Sequence, residues 1–212
     1  MHLDSNAPRL MLQLDDVVLR RGRKPLIGPL SASCSGGTVT HLRGPNGVGK
    51  TTLIHALVGL REPDGGTIRW QGEDVFDRPE SLRRSLCFIA HDASGSGALT
   101  AVESLRFVLA LNNEPVEQAA DALRQTGLRG RSLMQPVRTL SAGQQRRVAL
   151  ARLVVTKAQL WVLDEPLNAL DDASRSLLCQ RFADHAAAGG IVVVTSHQPL
   201  PIDARCIDLL SA

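Results

Sequence analysis

Lys50 follows the run Gly44-Pro45-Asn46-Gly47-Val48-Gly49 and precedes Thr51 and Thr52. The spacing matches GxxxxGK[ST] without departure. Glycines let such a loop curl so that several backbone N–H groups point inward, and a helix starting near Gly49 aims its positive end at the same spot. Lys50 then neutralises phosphate charge, and Thr51 offers a hydroxyl to Mg²⁺.

A second group of candidates lies far along the chain. Asp164 and Glu165 end the apolar run Leu160-Trp-Val-Leu163, which puts two carboxylates at the C-terminal edge of a strand, where open α/β sheets bind ligands. Asp164 is a candidate to hold Mg²⁺ directly or through water, and Glu165 a candidate general base. His197 follows another apolar run that ends in Val193-Val-Thr-Ser196; at the same sheet edge it could reach a terminal phosphate and orient a water. A third feature is Leu140-Ser141-Ala142-Gly143-Gln144. Its Ser-x-x-Gln spacing is a capping box, which predicts a helix start with its positive end outward. The chain therefore carries two places suited to phosphate.

These residues need elements to position them. Thr38 to Arg43 reads as the strand before the phosphate loop and Thr52 to Leu60 as the helix after it; Leu12 to Leu19 and Thr67 to Gln71 read as further strands. Leu160 to Leu163 and Ile191 to Val194 are uninterrupted apolar runs, expected of parallel strands covered on both faces. Thr100-Ala-Val-Glu103 is a capping box that opens a helix through about Leu111, and a second helix runs from about Val116 to Thr126 and stops at Gly127. Residues from roughly Asp92 to Thr139 read as a helical insertion in an α/β core.

Bulk properties narrow the classes. At 212 residues the chain is long enough for one large domain or a domain with a subdomain inserted, and leaves no room for two full catalytic units. No apolar run approaches the ~18 residues of a membrane span, and the N-terminus lacks a signal peptide's apolar core. Cys34, Cys87, Cys179 and Cys206 form no CxxC pair, so they read as reduced, packed thiols. The net charge of +3 is a mild excess, of the kind a solvated face carries, and does not by itself point to a nucleic-acid surface.

The motifs GPNGVGKT, LSAGQ, LWVLDE, Asn168-Ala-Leu-Asp171 and Thr195-Ser-His197 occur in the order and approximate spacing of the ATP-binding cassette (ABC) domains. The resemblance covers nearly the whole chain. It implies a P-loop ATPase core of α/β class, an antiparallel β subdomain, and an inserted helical subdomain at roughly 92–155 that carries LSAGQ. It also implies ATP as substrate, Mg²⁺ as cofactor, and a head-to-tail homodimer in which Leu140, Ser141, Ala142, Gly143 and Gln144 serve the partner's nucleotide. Asp171 takes the place of that family's D-loop residue.

The chain departs from the family pattern at three places. Ala142 stands where the commonest signature has glycine. The chain has no tyrosine, and Arg20 or Arg21 stands near where an aromatic usually stacks on adenine; a guanidinium plane could stack instead. His91 replaces a glutamine that contacts Mg²⁺ or the attacking water.

Gly189 to Leu200, LSAGQQRRVALARL and Ile-Ala-His91 resemble the ATP-binding subunits of cytochrome c maturation, the haem-exporter family. That resemblance implies a peripheral subunit on the cytoplasmic face of a bacterial inner membrane, with integral partners of the CcmB, CcmC and CcmD kind. Its hydrolysis would power release of the haem-loaded chaperone. No haem-ligand motif surrounds His2, His41, His55, His91, His185 or His197, so direct haem binding is not expected. The ATPase of another exporter would share every catalytic residue. A soluble cassette ATPase acting on nucleic acid or ribosomes is the remaining class, and this chain has neither the long coiled coil nor the second cassette of those proteins.

Overall fold

Leu12 and Leu14 and, past an irregularity in the pairing, Val17 and Leu19 turn one face of a long first strand inward. This strand, β1 (Met11–Arg21), pairs with the antiparallel β2 (Lys24–Ser35). The computed structural model describes residues 10–91 and 97–209. His2, most of the N-terminal segment and the expected start of the insertion at Asp92 lie outside them.

After β3 (Thr38–Arg43), the loop 44–49 leads into α1 (Lys50–Leu57), and β4 (Gly65–Trp70) returns to β1 with the short β5 (Glu73–Asp74) beside it. These strands form an antiparallel sheet in the order β2-β1-β4-β5. Its β2 is absent from the sequence-based expectation. Pro25, Gly28 and Pro29 interrupt its apolar pattern, and it sits at the sheet edge, where missing N–H groups are tolerated. The helix after the phosphate loop starts at Lys50 rather than Thr52 and ends at Leu57 rather than Leu60, because Gly59 takes φ +75° and the Leu60 N–H bonds back to His55 O.

Helix α2 (Pro79–Ser85) precedes β6 (Leu86–Ile89), and four helices follow: α3 (Ala101–Leu111), α4 (Ala119–Gln125), α5 (Ala142–Leu150) and α6 (Arg152–Val155). The capping boxes expected at Thr100 and Ser141 both form. The helix expected from Val116 starts instead as a single 3₁₀ turn, Val116–Gln118, after Pro115. The chain then re-enters the core through β7 (Leu160–Leu163), α7 (Asp172–Ala187), β8 (Ile191–Thr195) and β9 (Arg205–Asp208).

Strands β6-β7-β8-β3-β9 form one parallel sheet in that order. Its pleat divides the apolar runs between two cores. Leu160, Val162, Ile191 and Val193 pack with Leu53, Leu57 and the inner face of the antiparallel sheet. Trp161, Leu163, Val192 and Val194 pack with Leu178, Cys179 and Phe182 of α7. Coverage of both faces explains why these strands are apolar at every position. A third cluster, including Leu105, Leu109, Leu123, Leu140 and Val148, holds α3 to α6 together. Among the described residues no helix is long and apolar enough to cross a membrane.

Three of the four cysteines are buried within these cores, and Cys206 is exposed. Burial pushes the thiols of Cys34 and Cys179 up and that of Cys87 to about 11. Alkylation at mildly alkaline pH should therefore label Cys206 fast and the other three only on unfolding, as mass spectrometry will count. Rapid native labelling of Cys87 would contradict this packing.

Candidate active site

The C-terminal ends of β3, β7 and β8 converge on one cleft. Gly49 ends the phosphate loop at φ +112°, a conformation that favours glycine, and as the N-cap of α1 it brings no side-chain acceptor to the first-turn N–H groups. Those groups and the positive helix end remain directed at the loop. Lys50 Nζ donates to Gly44 O at 2.8 Å and Pro45 O at 3.3 Å, so the ammonium lies along the loop's own carbonyls. Val48 turns the other way and is buried in the core.

The cleft has a volume of about 210 Å³, and its lining includes Asn46, Gly47, Lys50 and Thr51 together with Thr52 and Gly49. His91, Glu165 and His197 line it from the facing side, and Arg21 from β1. Of the two arginines considered for adenine stacking, Arg21 reaches this cleft. The backbone of Arg20 is held elsewhere, by Asp64 Oδ2 on its N–H at 2.7 Å and by Arg61 on its carbonyl.

Asp164 is 2% exposed and reaches the cleft through a relay. Its Oδ2 accepts from Thr51 Oγ1 at 2.9 Å and its Oδ1 from Thr195 Oγ1 at 2.7 Å. Thr195 Oγ1 in turn accepts the Glu165 N–H at 2.8 Å. A single hydroxyl at the end of β8 thus fixes both carboxylate residues. Thr195 went unremarked in the sequence except as part of Thr195-Ser-His197; its position at the end of an apolar strand was the available signal.

Glu165 turns the chain sharply, with φ +49°, a left-handed conformation uncommon outside glycine. Its side chain is buried, and among the described residues neither carboxylate oxygen accepts a hydrogen bond. His197 Nε2 stands 3.2 Å from Glu165 Oε1, near enough for an ion pair but off hydrogen-bond geometry. A buried carboxylate with its lone pairs open suits a proton acceptor.

The Thr51 hydroxyl and the Asp164 carboxylate are hard oxygen donors, and Mg²⁺ needs one or two carboxylates plus phosphate oxygens. The residues therefore fit that ion bound together with a nucleotide. Among the described residues no group of three or more His, Cys, Asp or Glu could hold a metal alone.

The other phosphate-suited feature lies apart. No residue from 140 to 144 lines the cleft. Leu140 is buried, whereas Ser141 and Ala142 are exposed. Ser141 Oγ accepts the Gln144 N–H at 3.3 Å while Gln144 Oε1 accepts the Ser141 N–H at 3.0 Å, which leaves the Ser141 hydroxyl proton for another acceptor. A Cβ on Gly143 would meet Ala169 O at 2.7 Å, so glycine is required by close approach to that loop. Asp171 caps α7 by accepting the Ser174 N–H at 2.8 Å and pairs with Arg147 at 2.7 Å. The Ser174 bonds, with Arg147 adding to them, hold its carboxyl below the usual range.

The family model described as "ABC transporter" matches residues 27–168. The cytochrome c biogenesis ATP-binding export protein CcmA of Salmonella typhi is 46% identical over 193 residues, covering 90% of this chain and 91% of that protein. The chain belongs to the ABC transporter ATP-binding family, in its CcmA branch. Solved structures share the fold. A putative ABC transporter ATP-binding protein from Pyrococcus furiosus superposes with a TM-score of 0.82 at 24% identity, over 95% of this chain and all of that one. A dimeric ATP-binding cassette bound to ADP and Pi superposes with a TM-score of 0.78 at 22% identity, over 88% of each chain.

Replacing Thr195 by the isosteric valine would strip Asp164 and the Glu165 N–H of a buried partner. A loss of about 1–3 kcal/mol is expected from equilibrium denaturation. An unchanged denaturation midpoint would mean that the hydroxyl does not hold these groups.

Proposed function

We propose that the protein hydrolyses ATP as the engine of a cytochrome c biogenesis export complex. The observation that carries hydrolysis is the buried Glu165 carboxylate, open to a donor and facing the phosphate loop across one cleft. Backbone N–H groups between Asn46 and Gly49 and at the start of α1 bind the β and γ phosphates, Lys50 swings from its loop carbonyls to neutralise them, and Arg21 stacks on the adenine. Glu165 takes the proton of the attacking water, and His197 orients that water against the γ phosphate. When bound, Mg²⁺ supplies charge neutralisation at the phosphates, held by Thr51 and Asp164 directly or through water, with His91 beside it. The γ-phosphorus bond to the bridging oxygen of ADP breaks as the new one to water forms.

The signature, Leu140 to Gln144, acts in trans. Its absence from its own chain's cleft supports this, as does the exposed Ser141 hydroxyl at a helix start. In a head-to-tail homodimer Ser141 Oγ and the Gly143 N–H bind the γ phosphate held by the partner's loop, so ATP joins the subunits and its hydrolysis releases them. Asp171, fixed at the same junction by Arg147, faces the partner as the D-loop residue.

The membrane partners, of the CcmB, CcmC and CcmD kind, dock on the helical side. A groove of about 120 Å³ runs between Phe88, Leu105, Val108, Val148 and Arg152. On α3 beside it Phe107 and Leu111 are 57% and 68% exposed, more apolar surface than a lone helix face needs. Such docking places the protein on the cytoplasmic face of the inner membrane, where its turnover drives release of the haem-loaded chaperone.

Lys50→Ala should lower turnover by about 10²–10³-fold, the usual scale for one phosphate-stabilising group. Glu165→Gln should lower it by about 10²–10⁴-fold and leave a dimer that persists with ATP, read by size-exclusion light scattering. Mixing subunits that carry Ser141→Arg with subunits that carry Lys50→Ala should restore one working site per mixed dimer. Full turnover by a monomer would contradict the shared site.

A further inference from the structure

Arg146 stands in the signature helix but points away from the signature. It is 7% exposed, and its guanidinium reaches two segments of the core, 90–91 and 164–166. Nη2 donates to Asp164 O at 2.8 Å and Nε to Pro166 O at 3.2 Å. Nη1 donates to Ala90 O at 2.9 Å and to His91 O at 3.3 Å. The two carbonyls on either side of Glu165 are thus gripped by one planar fork, whose fixed geometry suits such multi-point contact. Between them lies the left-handed Glu165 backbone, a conformation that persists only where its surroundings determine it. The same fork holds Ala90 and His91, just past the end of β6.

We infer that Arg146 is a positioning residue for hydrolysis: it fixes the Glu165 turn and the His91 segment of its own chain's site, from the helix whose start serves the partner's nucleotide. The inference rests on the shared-site reading above and adds a direction to it. Movement of α5 when Ser141 meets a phosphate would pass through the guanidinium to the chain's own Glu165, so one subunit's signature and its own hydrolytic base become a single mechanical unit. Arg147, the adjacent residue, makes the parallel link to Asp171 at 2.7 Å, so two neighbouring arginines tie this helix to both ends of the one loop between β7 and α7.

The test uses a mixed dimer with one competent site. One subunit carries Lys50→Ala, and the other carries Ser141→Arg, so only the second subunit's loop and Glu165, completed by the first subunit's signature, can turn over. Arg146→Gln is then added to either subunit. In the second subunit, beside the working Glu165, it should lower kcat by up to about 10²-fold, the scale of a small misplacement of reacting groups, with the ATP KM little changed. In the first subunit, beside the working signature, it should leave the rate within about twofold, against that same scale. Arg146→Lys, which keeps the charge but not the fork, should fall between wild type and Arg146→Gln in the second placement. Equal losses from both placements, or a loss confined to the first, would overturn the assignment in favour of a folding or signature role.

If the parent mixed dimer is silent while the unsubstituted homodimer turns over, the shared-site reading fails instead. Arg146 is then judged in the Arg146→Gln and Arg146→Lys homodimers. A fall in kcat with fluorescent-ATP affinity retained supports the assignment, and parallel loss of both overturns it.

Discussion

Two adjacent carboxylates buried at the end of one strand impose the constraint on which the rest of this site depends. Asp164 and Glu165 are 2% and 6% exposed, and burying charge without partners is costly. The structure divides the problem. Asp164 receives two hydroxyl donors, from Thr51 and Thr195, and so is satisfied within the protein. The backbone of Glu165 is clamped by Thr195 and by the Arg146 contacts on either side, while among the described residues its carboxylate oxygens accept no hydrogen bond. One carboxylate is thereby held by its neighbours, whereas the other keeps its lone pairs open.

Helix starts show a similar division. α5 and α7 have side-chain caps, Ser141 with Gln144 and Asp171 to Ser174, so their first turns are stable before any ligand arrives. α1 begins at Gly49 with no side-chain cap, which leaves its first-turn N–H groups without a side-chain acceptor. Ser141 combines both behaviours, since its oxygen accepts within the cap while its proton remains free to donate.

Contiguous chemistry was legible from the sequence. The phosphate loop, the Asp164–Glu165 pair and the Ser141 capping box each depend on neighbours within a few residues, and each has the local form expected of it. Groups that meet only in three dimensions were less so. Thr195 reaches Asp164 across strands, and Arg146 reaches segments 56 and 18 residues away; in the sequence one looks like the tail of an apolar strand and the other like part of a basic helix. Proline hid β2 because edge placement, which permits it, is a property of the sheet. Arg20 and Arg21 are equivalent in the sequence; in the fold Arg21 lines the cleft, whereas Arg20, whose backbone N–H bonds Asp64, does not. The inward stripe of α7 is hidden for a different reason: Leu178, Cys179, Phe182 and Ala186 keep helical spacing but sit among polar residues and beside the exposed Leu177.

The shared site is tested most directly by proximity between chains. In a Cys206→Ser, Glu165→Gln background, Asn46→Cys is placed in one subunit and Ala142→Cys in another, and a short bis-maleimide is added with and without ATP. The account predicts a cross-linked species of two-chain mass that forms with ATP and is absent without it. A chain carrying both substitutions that instead cross-links internally as a monomer, or an ATP-loaded mixture that forms no two-chain product, would contradict it.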